Sequence, residues 1–136
     1  YKRGEEMSYN KYKNKKTTID GLKFDSKTEM EYYKYLLGLQ EKGIVKEIKT
    51  QIKYSLQDKF KYKDKTQREI VYIADFVVIY SDGREEVIDT KGSVHNIDPV
   101  FKIKRKLLLC KYPNIDFRVI VKEGKKGNYK WVEIMN

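Results

Sequence analysis

The chain has 136 residues, enough for one domain with a core of its own but not for two. A single Cys110 and a single His95 exclude an internal disulfide framework and the usual His/Cys zinc cages, and no stretch approaches the roughly 20 apolar residues that span a bilayer. Lys and Arg number 30 against 20 Asp and Glu, and this formal charge of +10 points to a polyanion such as nucleic acid, whose counterions a basic surface releases; the plainer reading is a lysine-rich proteome.

The lone cysteine fits a reducing compartment and no apolar h-region marks a signal peptide, so a soluble, cytoplasmic protein without a membrane or disulfide partner is expected. Residues 1–19 are polar, with Lys11, Lys13, Lys15 and Lys16 interleaved with Tyr9 and Tyr12. They read either as a flexible basic arm that orders on nucleic acid or as a frayed terminus. Residues 20–136 form a single domain.

Ser26-Lys27-Thr28-Glu29 has capping-box spacing, and Met30, Tyr33, Leu36 and Leu37 continue at helical period until Gly43. A strand over about 47–56 follows, then a charged, apolar-poor stretch, 57–68, read as a long hairpin loop or exposed turn. Runs rich in β-branched and aromatic residues at 69–80 and 85–91, split by Ser81-Asp82-Gly83, make a hairpin. After a loop, a helix is expected over 99–111. Val100, Ile103, Leu107 and Cys110 form its apolar stripe, with Lys102, Arg105 and Lys106 off it; Leu109 falls on the basic side as a candidate partner surface. Strands at 116–122 and 129–134 finish the chain. The passage from strand 85–91 through a helix to strand 116–122 can make a parallel pair. An α/β fold follows: a mixed β-sheet flanked by helices, one on each side.

Asp75 stands at the centre of the apolar run Ile70–Tyr80, and Asp89-Thr90-Lys91 lies on the paired strand. Residues two apart on a strand share a face, so Asp89 and Lys91 look the same way. The pattern acid-x-Lys occurs four times in this charged chain, but only Asp89 follows an apolar strand that carries its own central acid. A carboxylate there is costly to bury unpaired and needs a metal, a cation or solvent. The plainer reading is a structural ion pair of Lys91 with either aspartate. Glu29 likewise has two readings: the N3 acid of a capping box, or a further metal ligand delivered from the first helix. Glu31 leans away from the helix stripe. Gln51 is a candidate polar neighbour of the site, and His95, alone in a loop, reads as solvated.

A helix with an acid, then Asp in a hydrophobic strand, then acid-x-Lys on the next resembles the PD-(D/E)XK nuclease superfamily. Ile73-Ala74-Asp75 stands for the "PD" element with Ala for Pro, and Asp89-Thr90-Lys91 for "(D/E)XK". More narrowly, the stretches Asp20–Glu29 and Asp89–Gly92, followed by a lysine-rich helix, are similar to small phage and prophage nucleases. The resemblance implies a restriction-endonuclease-like αβββαβ core and Mg²⁺-dependent phosphodiester hydrolysis, with Mn²⁺ able to substitute. By motif position Asp75, Asp89, Glu29 and the Thr90 carbonyl would hold the metal, and Lys91 would act on the attacking water or the phosphate. Lys102, Lys104, Arg105 and Lys106, with Lys13, Lys15 and Lys16, would meet DNA phosphates. The expected function is a metal-dependent DNA endonuclease of phage or mobile-element type, structure-specific for branched or junction DNA and a candidate homodimer, in the host cytosol if phage-encoded. The alternatives are a non-catalytic nucleic-acid-binding module and a protein-interaction factor retaining the fold.

Overall fold

A computed structural model describes residues 17–95 and 97–135; Lys13, Lys15 and Lys16 lie outside the described residues. The fold opens with a hairpin of β1 (Thr17–Ile19) and β2 (Leu22–Phe24). Its two-residue turn is Asp20-Gly21, with φ of 54° and 79°, the left-handed pair that a type I′ turn requires. β1 thus lies inside the segment read as an arm, and the folded domain begins before Asp20. Ile19 and Leu22 anchor the hairpin on the core.

Helix α1 (Lys27–Glu41) starts where Ser26 Oγ accepts the Glu29 N–H at 3.1 Å. Tyr32, Tyr33 and Leu36 are its buried face, with Met30 and Leu37 packed at the margin. Strand β3 (Val45–Gln57) leads into β4 (Phe60–Tyr62) and β5 (Lys65–Gln67), followed by β6 (Ile70–Tyr80) and β7 (Glu85–Lys91). The stretch expected as a loop at 57–68 is therefore mostly a second small hairpin. It turns on Lys63 and Asp64, whose φ values are 49° and 63°. Helix α2 (Pro99–Lys111), β8 (Phe117–Lys125) and β9 (Asn128–Ile134) complete the chain.

The main sheet has the order β3-β6-β7-β8-β9, with β7 and β8 parallel and the other neighbours antiparallel. Strand alternation sends Phe76, Val78 and Ile88 to the side covered by α1, and Val77, Val87 and Val119 to the side covered by α2. The fold is α/β, with a mixed sheet and one helix on each face.

Helix α2 docks through a different stripe from the expected one. Phe101 and Leu108 are buried, whereas Val100 and Ile103 are 55% and 61% exposed, and Leu107 and Cys110 also face outward. Leu109 is half-buried. The helix carries two apolar stripes, and the one with the aromatic ring faces the sheet, where a large ring removes most surface from water. Among the described residues no helix is long and apolar enough to cross a membrane.

Candidate active site

The β6–β7 ladder runs from Ile79 opposite Glu85 to Phe76 opposite Ile88 and stops there. Past that point the Ile70–Ala74 half of β6 pairs with β3, and Asp89–Lys91 of β7 pairs with β8, so the sheet forks at Asp75. The carboxylate of Asp75 fills the notch: Thr90 N–H donates to its Oδ2 at 2.8 Å and Thr90 Oγ1 at 2.9 Å. A strand residue projects its N–H and C=O to the same side, so the Thr90 carbonyl also faces the fork. The alternation of β6 slips here too, because Ala74 packs with the α2-side cluster and Phe76 with the α1-side cluster. On β3, Gln51 sits between the pairs Thr50–Phe76 and Ile52–Ala74, opposite Asp75, with a left-handed φ of 55°.

Helix α1 delivers Glu29 to the same notch, 3% exposed. Its Oε1 accepts Gln51 Nε2 at 3.4 Å and the Asp25 N–H at 3.3 Å. The capping-box return bond thus comes from Asp25, the residue before the cap, and not from Ser26. The Glu29 carboxyl adjoins that of Asp75, near enough for the two to share a proton. Burial first, then that shared proton and the charge of Glu29, push the Asp75 carboxyl up to about 8, against the two Thr90 donors that pull it down. Glu31 is engaged elsewhere, 2.9 Å from Lys122 Nζ.

Asp89 points to the α2 side of β7 and is 5% exposed. Tyr72 donates its hydroxyl to Oδ2 at 2.5 Å, and Lys91 Nζ lies 2.8 Å from Oδ1. The latter is an ion pair without hydrogen-bond geometry, and Oδ1 is buried with no hydrogen-bond partner. The Lys91 ammonium also rests 3.7 Å from the centre of the Phe101 ring. Burial and the nearby Asp75 raise the Asp89 carboxyl, while Lys91 and Tyr72 oppose them. Burial beside Asp89 drives the Tyr72 hydroxyl far above its usual range, so it remains a donor.

The anticipated site residues therefore form two adjoining groups. Glu29, Gln51, Asp75 and Thr90 meet in the fork; Asp89 and Lys91 sit on the α2 side with Tyr72 and Phe101, two members that sequence reasoning missed. Tyr72 looks like an ordinary core aromatic in the sequence, and only the fork brings its hydroxyl to Asp89. Among the described residues no three Asp, Glu, His or Cys side chains converge into a ready metal cage. The donors nonetheless suit a hard cation: the carboxyl groups of Asp75, Glu29 and Asp89, and a backbone carbonyl on the fork side of β7.

The basic residues of α2 divide. Lys102 and Lys106 are exposed. Lys104 is half-buried at a groove of about 440 Å³ between α2 and the start of β6, lined also by Ile70, Val71, Ile103 and Leu107. Arg105 turns inward, donating from Nη2 to the Met135 carbonyl at 2.6 Å, so it ties the end of β9 to α2 instead of facing a phosphate. His95 is exposed in its loop, where its backbone N–H bonds Ser93 Oγ.

No curated protein and no solved structure matches the chain. A family model described as "Protein of unknown function (DUF1064)" matches residues 9–128, a stretch that holds the fork, both acid groups and α2. The chain belongs to this family.

Proposed function

We propose that the protein is a Mg²⁺-dependent DNA endonuclease built on a restriction-endonuclease-like core, with Mn²⁺ able to substitute. The observation that carries the reading is the fork itself: an aspartate from β6 and a glutamate from α1 meet in it, and the acid-x-Lys triplet of β7 adjoins them where the β6–β7 ladder ends. The chain order of the core, α1-β3-β6-β7-α2-β8, agrees with the αβββαβ pattern of that superfamily.

Asp75, Glu29, Asp89 and the Thr90 carbonyl would hold the metal. When bound, Mg²⁺ supplies charge to the scissile phosphate and lowers the pKa of a water. Thr90 fixes the Asp75 carboxylate through two donors, Gln51 orients Glu29, and Tyr72 holds Asp89. Lys91, steadied by Asp89 and the Phe101 ring, is the group that orients the attacking water or neutralises charge gathering on the phosphate. Lys102, Lys104 and Lys106 grip the phosphates that flank the cut; Arg105 does not belong to that set.

A second reading has its own observation. The Asp89–Lys91 pair, capped by Tyr72 and Phe101, fits a buried structural ion pair, and the domain would then bind nucleic acid without cutting it. Labelled four-way junction, flap, nicked, duplex and single-stranded DNAs, incubated with Mg²⁺ or Mn²⁺ and with EDTA, separate the two. Metal-dependent cutting by the wild type, lost in Asp75→Asn and in Asp89→Asn, is the expected result. Binding without cutting on every substrate, with both metals, overturns the nuclease.

A further inference from the structure

The β4–β5 ribbon projects from the end of the β3–β6 pair, and Phe60 and Tyr62 on it are 47% and 60% exposed. They are two apart on β4 and so share one face. Among the described residues neither ring stacks on another ring, and Tyr62 meets only the Lys63 ammonium, 5.3 Å from its centre. Exposed rings on a thin ribbon are a liability, since a two-stranded hairpin gains little from packing and aromatic edges invite association. The ribbon is nevertheless well ordered in its turn chemistry, with a tight two-residue loop at Lys63-Asp64. From Lys59 to Arg68 it carries four lysines and that arginine against Asp64.

Two exposed rings on one face of a ribbon, set among cations, are the chemistry of a nucleobase platform: aromatic faces stack on bases while lysines track the phosphates. In a duplex the base faces are hidden by their neighbours, so such a platform is complementary to unpaired nucleotides. We propose that the β4–β5 ribbon is a binding site for a single-stranded segment of nucleic acid, held by stacking on Phe60 and Tyr62.

The ribbon lies near the fork along the chain. Phe60 lies opposite Gln67, eight residues along the chain from Asp75, which at about 3.3 Å per strand residue is a reach of at most roughly 26 Å. It would therefore select DNA that is unpaired to one side of the cut. The inference deepens the nucleic-acid reading above, yet it does not depend on cleavage.

The test is fluorescence anisotropy in EDTA with a labelled oligothymidylate and a labelled duplex of equal length. Phe60→Leu/Tyr62→Leu keeps apolar bulk on the ribbon but removes the rings, and Phe60→Trp/Tyr62→Trp keeps ring faces. The leucine pair is expected to weaken oligothymidylate binding about tenfold or more, with duplex binding and the thermal midpoint unchanged and the tryptophan pair at wild-type strength. No loss in the leucine pair, an equal loss on duplex, or a wild type that does not bind oligothymidylate would each overturn the proposal. Because no step requires metal, these results stand apart from the cleavage assay that judges the nuclease.

Discussion

The N–H and the hydroxyl of Thr90 both donate to a single oxygen of Asp75, Oδ2. A side-chain carboxyl thus takes the place that a β6 carbonyl would fill if the ladder continued. One residue both ends the strand pairing and orients the acid.

Thr90→Val keeps the branched shape and the N–H but deletes the hydroxyl donor. Denaturant unfolding should show a loss of about 1 kcal/mol, with Thr90→Ser restoring most of it. A neutral result would mean that the hydroxyl contributes nothing to fixing Asp75.

Acidity gives a second expectation. The folded value of Asp75, about 8, lies above its ordinary 3.8, so between those values the folded chain holds more protons than the unfolded one. Stability from this group is full below the lower value and falls as pH rises through the upper one. Asp75→Asn keeps an oxygen for Thr90 and offers an N–H to Glu29, and it cannot ionise. In EDTA, the decline in unfolding free energy toward pH 8 should be shallower in the variant, and identical slopes would contradict the assignment.

The buried pair on β7 can be examined by a double-mutant cycle. Lys91→Met strands the Asp89 carboxylate without its cation and should cost about 3–5 kcal/mol. Adding Asp89→Asn should recover a large part of that loss. Additive effects would show that the two side chains do not interact.

The orientation of α2 predicts a strong contrast between two residues on one helix. Leu108→Ala, at a site with no exposure, should cost about 2–5 kcal/mol. Ile103→Ala should stay within about 0.5 kcal/mol, since that side chain is mostly in solvent. Comparable losses at both positions would mean that α2 docks through the other stripe.

The parts of the fold that were legible in the sequence are those with a long periodic signal. Ser26 and the spacing after it located α1, the apolar run around Asp75 located β6, and the helix after Asp89-Thr90-Lys91 led to the parallel β7–β8 pair. The hairpins β1–β2 and β4–β5 were hidden because three-residue strands cannot display alternation, although Asp20-Gly21 carried the turn chemistry of the first. The rotation of α2 was not legible either, since Val100, Ile103 and Leu107 form as regular a stripe as Phe101 and Leu108 do. Within the site, the acids and the lysine could be picked out by residue type and strand context. The supporting contacts of Tyr72, Phe101 and Arg105 arise from elements distant in the chain, and no local spacing announces them.

Where the β6–β7 ladder ends, backbone spacing no longer sets the distance between the two tines of the sheet. Paired strands lie a fixed 4.7–4.9 Å or so apart, but here the aperture depends on a trio of rings behind it. Tyr72 from one tine lies 6.2 Å from Phe101 and 5.7 Å from Phe117, which are themselves 6.5 Å apart. The width of the mouth is thus a matter of ring size. A substitution at Phe101 or Phe117 that shifts Tyr72 also shifts the hydroxyl that holds Asp89, so ring size reaches the carboxylate at the mouth.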